Sequence, residues 1–284
     1  LNSAGYQPAA NVFFQSVCEE ECTGNGALAC LQRGYRADAA LIPEPFNEKL
    51  VSAQVGVIWF RVDLKGIPVH VAHAGSGSNA IEAAIPLISA LRKLEKEWNA
   101  PSLKNHHYCD HDHPLNLNVG KIKGGDWASS VPAWCSLDLR MGIYPGQDII
   151  EARQRIESCI LEAASRDPFL SKNLPEITYN GFMAEGYALA DHMHPEKDKA
   201  IGTLEAAHKT VIGGDLEQIA ITATTDARFF GLYADIPALV YGPVAENIHG
   251  FNERVCLDST RKITKSIALF IADWCGLEEL ESAR

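Results

Sequence analysis

Between residues 56 and 65 the hydrophobic pattern has a strict period of two: Ile58, Phe60, Val62 and Leu64 share one face. A strand with that period packs one side and leaves the other to water. The run at 12–17 has a different texture. Val12, Phe13, Phe14 and Val17 leave little polar surface on either side, as in a central strand covered on both faces. Such a strand needs neighbours, yet it follows so few residues that the reading expects a chain whose domain starts upstream of Leu1.

The rest of the pattern alternates strands with helices. A helix is expected over 24–34 and a short strand over 38–43, running into Glu44-Pro45. After the 56–65 strand, Ile81, Ile85, Ile88, Leu91, Leu94 and Trp98 make a helical stripe over 79–98, in which Pro86 predicts a late start or a kink. Strands at 115–122 and 131–140, a helix at 147–165 and a strand at 175–180 complete a β-α-β-β-α-β series, the split ferredoxin-like unit. A helix (198–211), strands at 218–223 and 237–241, and a C-terminal helix follow. That last helix takes Asp258 or Ser259 as N-cap, buries Ile263, Ile267, Phe270, Ile271 and Trp274, and stops at Gly276. The organisation is one α/β domain in two segments, 1–53 and 181–284, interrupted by a module over 54–180.

Bulk properties narrow the function. The net charge of −11 disfavours a nucleic-acid partner. No apolar run is long enough to span a membrane, and no signal peptide is visible, so a cytoplasmic chain without a membrane partner is expected. The eight cysteines form no paired CxxC set and are expected to be free, buried thiols.

Glu19-Glu20-Glu21 lies just past the 12–17 strand, at the kind of edge where open α/β sheets bind ligands. Three adjacent carboxylates repel unless cations neutralise them. From the triplet alone, a solvated acidic loop is the favoured reading. Glu44 follows a second apolar strand, between Pro43 and Pro45, and His249 lies beyond a third strand. A histidine and two glutamates from three strand ends make a plausible N/O set for zinc or cobalt.

These segments resemble the M20 metallopeptidases and amidohydrolases, the acetylornithine deacetylase and succinyl-diaminopimelate desuccinylase relatives. The stretches that carry the resemblance are Ser16–Gly26, Ala37-Asp38 through Glu44-Pro45, Gly66 through His70 with Gly77-Ser78-Asn79-Ala80, Thr225-Asp226-Ala227-Arg228-Phe229, and Ile248-His249-Gly250-Phe251-Asn252-Glu253. The resemblance implies a zinc-peptidase-like catalytic domain and, in the inserted module, a lid or dimerisation domain through which a homodimer forms. It implies two divalent metal ions, Zn or Co. Glu21 and His249 would ligate one and Glu44 the other, while Glu20 takes a proton from the metal-bound water. His70 would steady the oxyanion in the partner subunit's site, Arg140 would grip a substrate carboxylate, and Thr224 and Arg228 would line the substrate cleft. The implied reaction is hydrolysis of the amide bond of an N-acyl amino acid or related small molecule. Alternatives are dipeptidase or N-carbamoylase chemistry on the same site, or a non-catalytic dimeric fragment.

Two departures stand out. The family's His-x-Asp and bridging aspartate precede its Glu-Glu pair, whereas residues 1–19 contain neither histidine nor aspartate. The expectation is that an upstream catalytic segment is missing, leaving an incomplete metal site. Ala128, Ser129 and Ser130 stand near where the family has an asparagine pair, so the substrate is left open. The His106–His113 cluster and the Asp191–Pro195 stretch match no standard zinc spacing and are read as surface loops, and His73 as a loop neighbour.

Overall fold

A computed structural model describes residues 1–179 and 181–280; Asn180, the end of the expected 175–180 strand, lies outside the described residues. The chain divides into two compact units. One comprises Leu1–Ala53, Tyr187–Ile221 and Thr225–Arg284, the other Gln54–Gly186 with Thr222–Thr224.

The second unit is the β-α-β-β-α-β module. Its strands Gly56–Lys65, Leu117–Gly124, Trp134–Ile143 and Glu176–Thr178 pair antiparallel, with Gly56–Lys65 and Trp134–Ile143 at the centre, and Met183–Ala184 adds to Gly56–Lys65. The alternation read at 56–65 holds: Ile58, Phe60, Val62 and Leu64 are all buried. So are Cys135, Leu137, Leu139 and Met141 opposite them. Helices Ala80–Trp98 and Ile149–Ala164 cover that apolar face. Each begins where a side chain satisfies the first backbone N–H groups: Asn79 accepts from Ile81 and Glu82, and Asp148 from Ile150 and Glu151. Pro86 neither delays nor ends the first helix, which runs from Ala80 to Trp98. Burial of Leu87, Leu91 and Leu94 along its inner stripe contributes about 1.5–3 kcal/mol each, more than the lost hydrogen bond costs.

The first unit is built on a mixed sheet. Ala238–Tyr241 pairs parallel with Ala40–Ile42 and antiparallel with Leu50–Gln54; Gln218–Ile221 and Tyr187–Ala188 add to Leu50–Gln54. Helices Lys197–Val211 and Leu257–Cys275 pack on it, with Leu204, Ile263 and Phe270 buried. Gly276, in the left-handed region, stops the last helix as expected. Its start is at Leu257, with Cys256 rather than Asp258 or Ser259 at the N-cap. Ser259 is otherwise engaged: its hydroxyl accepts the N–H of Val244.

Two further expectations fail. Residues 12–17 do not form a strand. Among the described residues no strand pairs with them, and a strand exists only through its ladder. Phe14 is 95% exposed, and Phe13 turns edge-on to Tyr35 instead. The cysteines are free, but Cys18, Cys22, Cys109 and Cys256 are exposed rather than buried.

A buried carboxylate closes the helical side of the antiparallel unit. Glu95 accepts from Leu117 N at 2.7 Å, from Arg92 Nη1 at 3.0 Å and pairs with His113 Nε2 at 3.1 Å. Asn99 beside it exchanges bonds with the backbone of Leu115. Burial alone would push the Glu95 carboxyl up, but the Leu117 N–H, His113 and Arg92 outweigh it and hold it below its ordinary value. Glu95→Ala strands the Leu117 N–H and is expected to cost about 2–4 kcal/mol near neutral pH, read from a chemical denaturation midpoint. The loss should shrink as pH falls through the carboxylate range, because the depressed pKa contributes stability only above it.

Candidate functional site

The acidic triplet lies on a backbone turn that Glu19 builds. Glu19 is in the left-handed region at φ 65°, uncommon outside glycine. Its carbonyl accepts N–H groups from Cys22, Thr23 and Gly24 at 3.0, 2.9 and 2.8 Å. Its carboxylate accepts the Thr23 hydroxyl at 2.7 Å and the Asn25 amide at 3.3 Å. Gly24, at φ 71°, ends the turn and starts the helix Asn25–Gln32. A Cβ there would lie 2.2 Å from Asp226 Oδ1 and 2.4 Å from Phe229 Cε2, so glycine is required.

The turn presents Glu20 and Glu21 to residues from other segments of the same unit. Glu21 Oε2 lies 2.8 Å from His249 Nε2. His249 belongs to the 247–253 loop between strands Ala245–Glu246 and Arg254–Val255, where Asn247, His249 and Asn252 are all left-handed. Glu20 shares a hydrogen bond with Glu44, which follows strand Ala40–Ile42. Gly242 lets that strand end approach, since a Cβ there would meet the Glu44 carbonyl at 2.1 Å.

Burial and crowding shift these groups together. Burial, then the charges of Glu20, Glu21 and Asp226, push Glu44 up to about 7. Burial and Glu21 raise Glu20, against the opposing pull of its Glu44 bond, Arg228 and His249. Burial and Glu20 raise Asp226 to about 6, and its Oδ1 is buried without a hydrogen-bond partner. Asp226 was not singled out from the sequence; its place in the Thr225–Phe229 stretch, beside Arg228, was the available signal. Arg228 itself is buried and donates to the carbonyls of Thr225 and Thr23.

Glu20, Glu21, Glu44, His249 and Arg228 thus share the mixed-sheet unit. His70, Arg140 and Thr224 belong to the antiparallel unit. His70 is exposed, and its Nδ1 accepts the N–H of Ala72. The Thr224 hydroxyl is committed to the carbonyl of Val55. Arg140 is on the helix-free face of the sheet, in register with Trp59 and Asn118. Burial lowers its pKa, and among the described residues no carboxylate pairs with it. The Trp59 indole N–H is likewise buried without a partner.

Residues 52–168 match the M20 peptidase dimerisation domain. Over 98% of its length the chain is 26% identical to a protein of Halalkalibacterium halodurans named N-formyl-4-amino-5-aminomethyl-2-methylpyrimidine deformylase, of which it covers 67%. Its fold is similar to that of an M20 family metallo-carboxypeptidase from Sulfolobus solfataricus, with a TM-score of 0.62 at 15% identity, covering 89% of this chain and 68% of that one. Aminopeptidase PepT from Bacillus cereus also matches at 0.62 and 17% identity, over 90% of this chain and 62% of the other. The chain is thus similar to M20 amidohydrolases, through its 52–168 domain and through its fold. It is a mixed α/β chain of the zinc-peptidase type and spans about two thirds of the length of these relatives. No helix among the described residues is long and apolar enough to cross a membrane.

The donors gathered in the mixed-sheet unit fit a divalent cation in kind, being carboxylate oxygens and one imidazole nitrogen. Glu21 and His249 converge as a pair, and Glu20 and Glu44 hold a proton where a cation would relieve the same repulsion. These four do not close into a group of three with all ligand atoms within 4.8 Å of one another. A structural or catalytic zinc takes at least three protein ligands, so the pair is a partial set.

The Glu44 shift fixes a pH dependence for the metal-free chain. Folded, Glu44 keeps its proton to about pH 7; its ordinary value is 4.5. The folded state therefore binds more protons in that window, and its stability falls as pH rises through it. Glu44→Gln should flatten this slope, read as denaturation midpoints from about pH 5 to about pH 8.

Proposed function

We propose that this chain serves metal-dependent hydrolysis of amide bonds in small N-acyl compounds, N-acyl amino acids first among them. The observation that carries the reading is the convergence of Glu20 with Glu44 and of Glu21 with His249, from three separate segments of one unit. Residues 1–53 and 181–284 serve as the catalytic domain, and 54–180 as the lid and dimerisation domain of a cytoplasmic homodimer. The match of 52–168 to a dimerisation domain supports the second assignment.

Glu21 and His249 would hold one divalent ion, zinc or cobalt, with Glu44 a ligand of a second. When bound, such ions make a water acidic near neutral pH and polarise an amide carbonyl. Glu20 is the general base: it takes a proton from the attacking water and delivers it to the leaving amine. Its raised pKa, set by burial and Glu21, suits a group that must accept and then release a proton. His70 steadies the oxyanion in the partner subunit's site, and Thr224 contributes to the substrate cleft.

Arg140 receives a carboxylate on the substrate. A half-buried guanidinium with no carboxylate partner among the described residues, in register with Trp59 whose buried indole N–H has no acceptor, favours an anionic ligand. The deformylase name of the relative favours a second reading, in which the acyl group is formyl and the amine belongs to a heterocycle. Dipeptidase or N-carbamoylase activity on the same residues is the remaining alternative.

A panel of N-formyl and N-acetyl amides, with and without a carboxylate, tests these readings in the metal-loaded protein. Glu20→Gln is expected to lower kcat by about 10²–10⁴. Equal rates for the variant and the parent would defeat the hydrolase reading. Arg140→Lys keeps the charge but loses the planar fork. It is expected to raise KM about tenfold for carboxylate-bearing substrates and to leave neutral ones unchanged. An equal effect on both kinds of substrate would remove Arg140 from substrate recognition.

A further inference from the structure

Arg228 is a cation at 2% exposure among carboxylates. A guanidinium that grips a substrate carboxylate must keep its donor fork available. Two of the N–H groups of Arg228 are turned to the backbone. Nη1 donates to the Thr225 carbonyl and Nη2 to the Thr23 carbonyl, each at 2.8 Å. Its carbon lies 4.1 Å from the centre of the Phe229 ring. Burial pulls its pKa to about 10, so it stays charged at neutral pH.

Thr23 is where the acidic turn can be gripped. Its N–H and its hydroxyl both go to Glu19, so a hold on its carbonyl is a hold on the whole 19–24 turn. Gly24, next in the chain, presses on Asp226, Phe229 and Arg228. Helix Asn25–Gln32 continues the contact, with Ala27 and Leu31 packed against Phe229 and Ile236. The helix Ala227–Ala234 and the residue before its cap are thus the platform for the turn.

We propose that Arg228 is a positioning residue: through the Thr23 carbonyl it holds the 19–24 turn on the 225–229 segment and fixes where Glu20 and Glu21 point. The inference rests on the proposed reading of Glu20 as base and Glu21 as metal ligand. It adds a hold on the turn to the place by the substrate cleft that the resemblance implies for Arg228.

Charge and positioning predict opposite signs. By Coulomb's law alone, removing a positive charge beside the acidic group tightens a divalent cation. If Arg228 holds the turn, removing it scatters the ligands and weakens the cation, by the 10–100-fold typical of lost outer-shell partners. Co²⁺ titration of the chain, followed by calorimetry and by the visible absorption of bound Co²⁺, separates the two. Arg228→Met is expected to bind at least about tenfold more weakly than the parent, with Arg228→Lys in between. Equal or tighter binding by Arg228→Met overturns the proposal. Glu21→Gln in the same titration tests the underlying reading: if it binds Co²⁺ as the parent does, the ligand assignment fails whatever Arg228 does. A metal-free measurement stands beside it. The amides of Cys22, Thr23 and Gly24, bonded to the Glu19 carbonyl, should exchange with solvent at least about tenfold faster in Arg228→Met, while amides of the antiparallel sheet keep their rates. Unchanged exchange at those three amides also overturns the proposal. If Arg228→Met fails to fold, Arg228→Lys is judged by the same criteria.

Discussion

Carboxylates repel, and this fold forces four of them into one region. Glu20 and Glu21 arrive on a turn, Glu44 at a strand end and Asp226 at the start of a helix, and Glu20, Glu44 and Asp226 each have their pKa raised. No local preference of glutamate or aspartate favours this. It is imposed by backbone packing: Gly24 against Asp226 and Phe229, and Gly242 against the Glu44 carbonyl. The repulsion is relieved by a shared proton between Glu20 and Glu44, by His249 on Glu21, and by the buried charge of Arg228. Each of these compensators is what a divalent cation would supplement or displace. A bound cation would relieve a repulsion that the fold itself imposes.

The antiparallel unit was legible because its signals are local. The period of two at 56–65 sets which residues face the helices, and the caps Asn79 and Asp148 are legible at the helix starts. The mixed-sheet unit was harder. Leu50–Gln54 is a buried central strand but offers only five residues and no alternation, so its pattern carried no signal. The run at 12–17 had the signal without the structure. Hydrophobicity reports a wish for burial, and a ladder is a property of the partner, which the run itself cannot encode.

The functional residues show the same division. Motif order marked Glu20, Glu21, Glu44 and His249, and the fold brings all four into one unit. The resemblance gives Glu19 no role, yet its left-handed backbone and its accepted bonds shape the turn that carries the other two. A left-handed glutamate leaves no mark in a sequence. Nor does the buried, unpaired oxygen of Asp226, which exists only because Gly24 closes over it.

The arginines make the sharpest case. Arg61, Arg140 and Arg228 are equivalent letters; the first two lie in strands the sequence outlined, and Arg228 lies in a helix it did not. Register decides the first: Arg61 is directly opposite Asp138 and bonds it at 2.6 Å, so its charge is satisfied within the sheet. One row along, Arg140 is opposite Trp59 and Asn118, and among the described residues no carboxylate pairs with it. A shift of two residues therefore separates a structural ion pair from a cation still in need of a counter-charge. Arg228 differs again, because its partners are carbonyls, which take hydrogen bonds without neutralising charge. Its positive charge lowers the Glu20 pKa while two of its N–H groups hold the carbonyls of Thr225 and Thr23. Bonding to two carbonyls is the arrangement that gives both effects from one side chain.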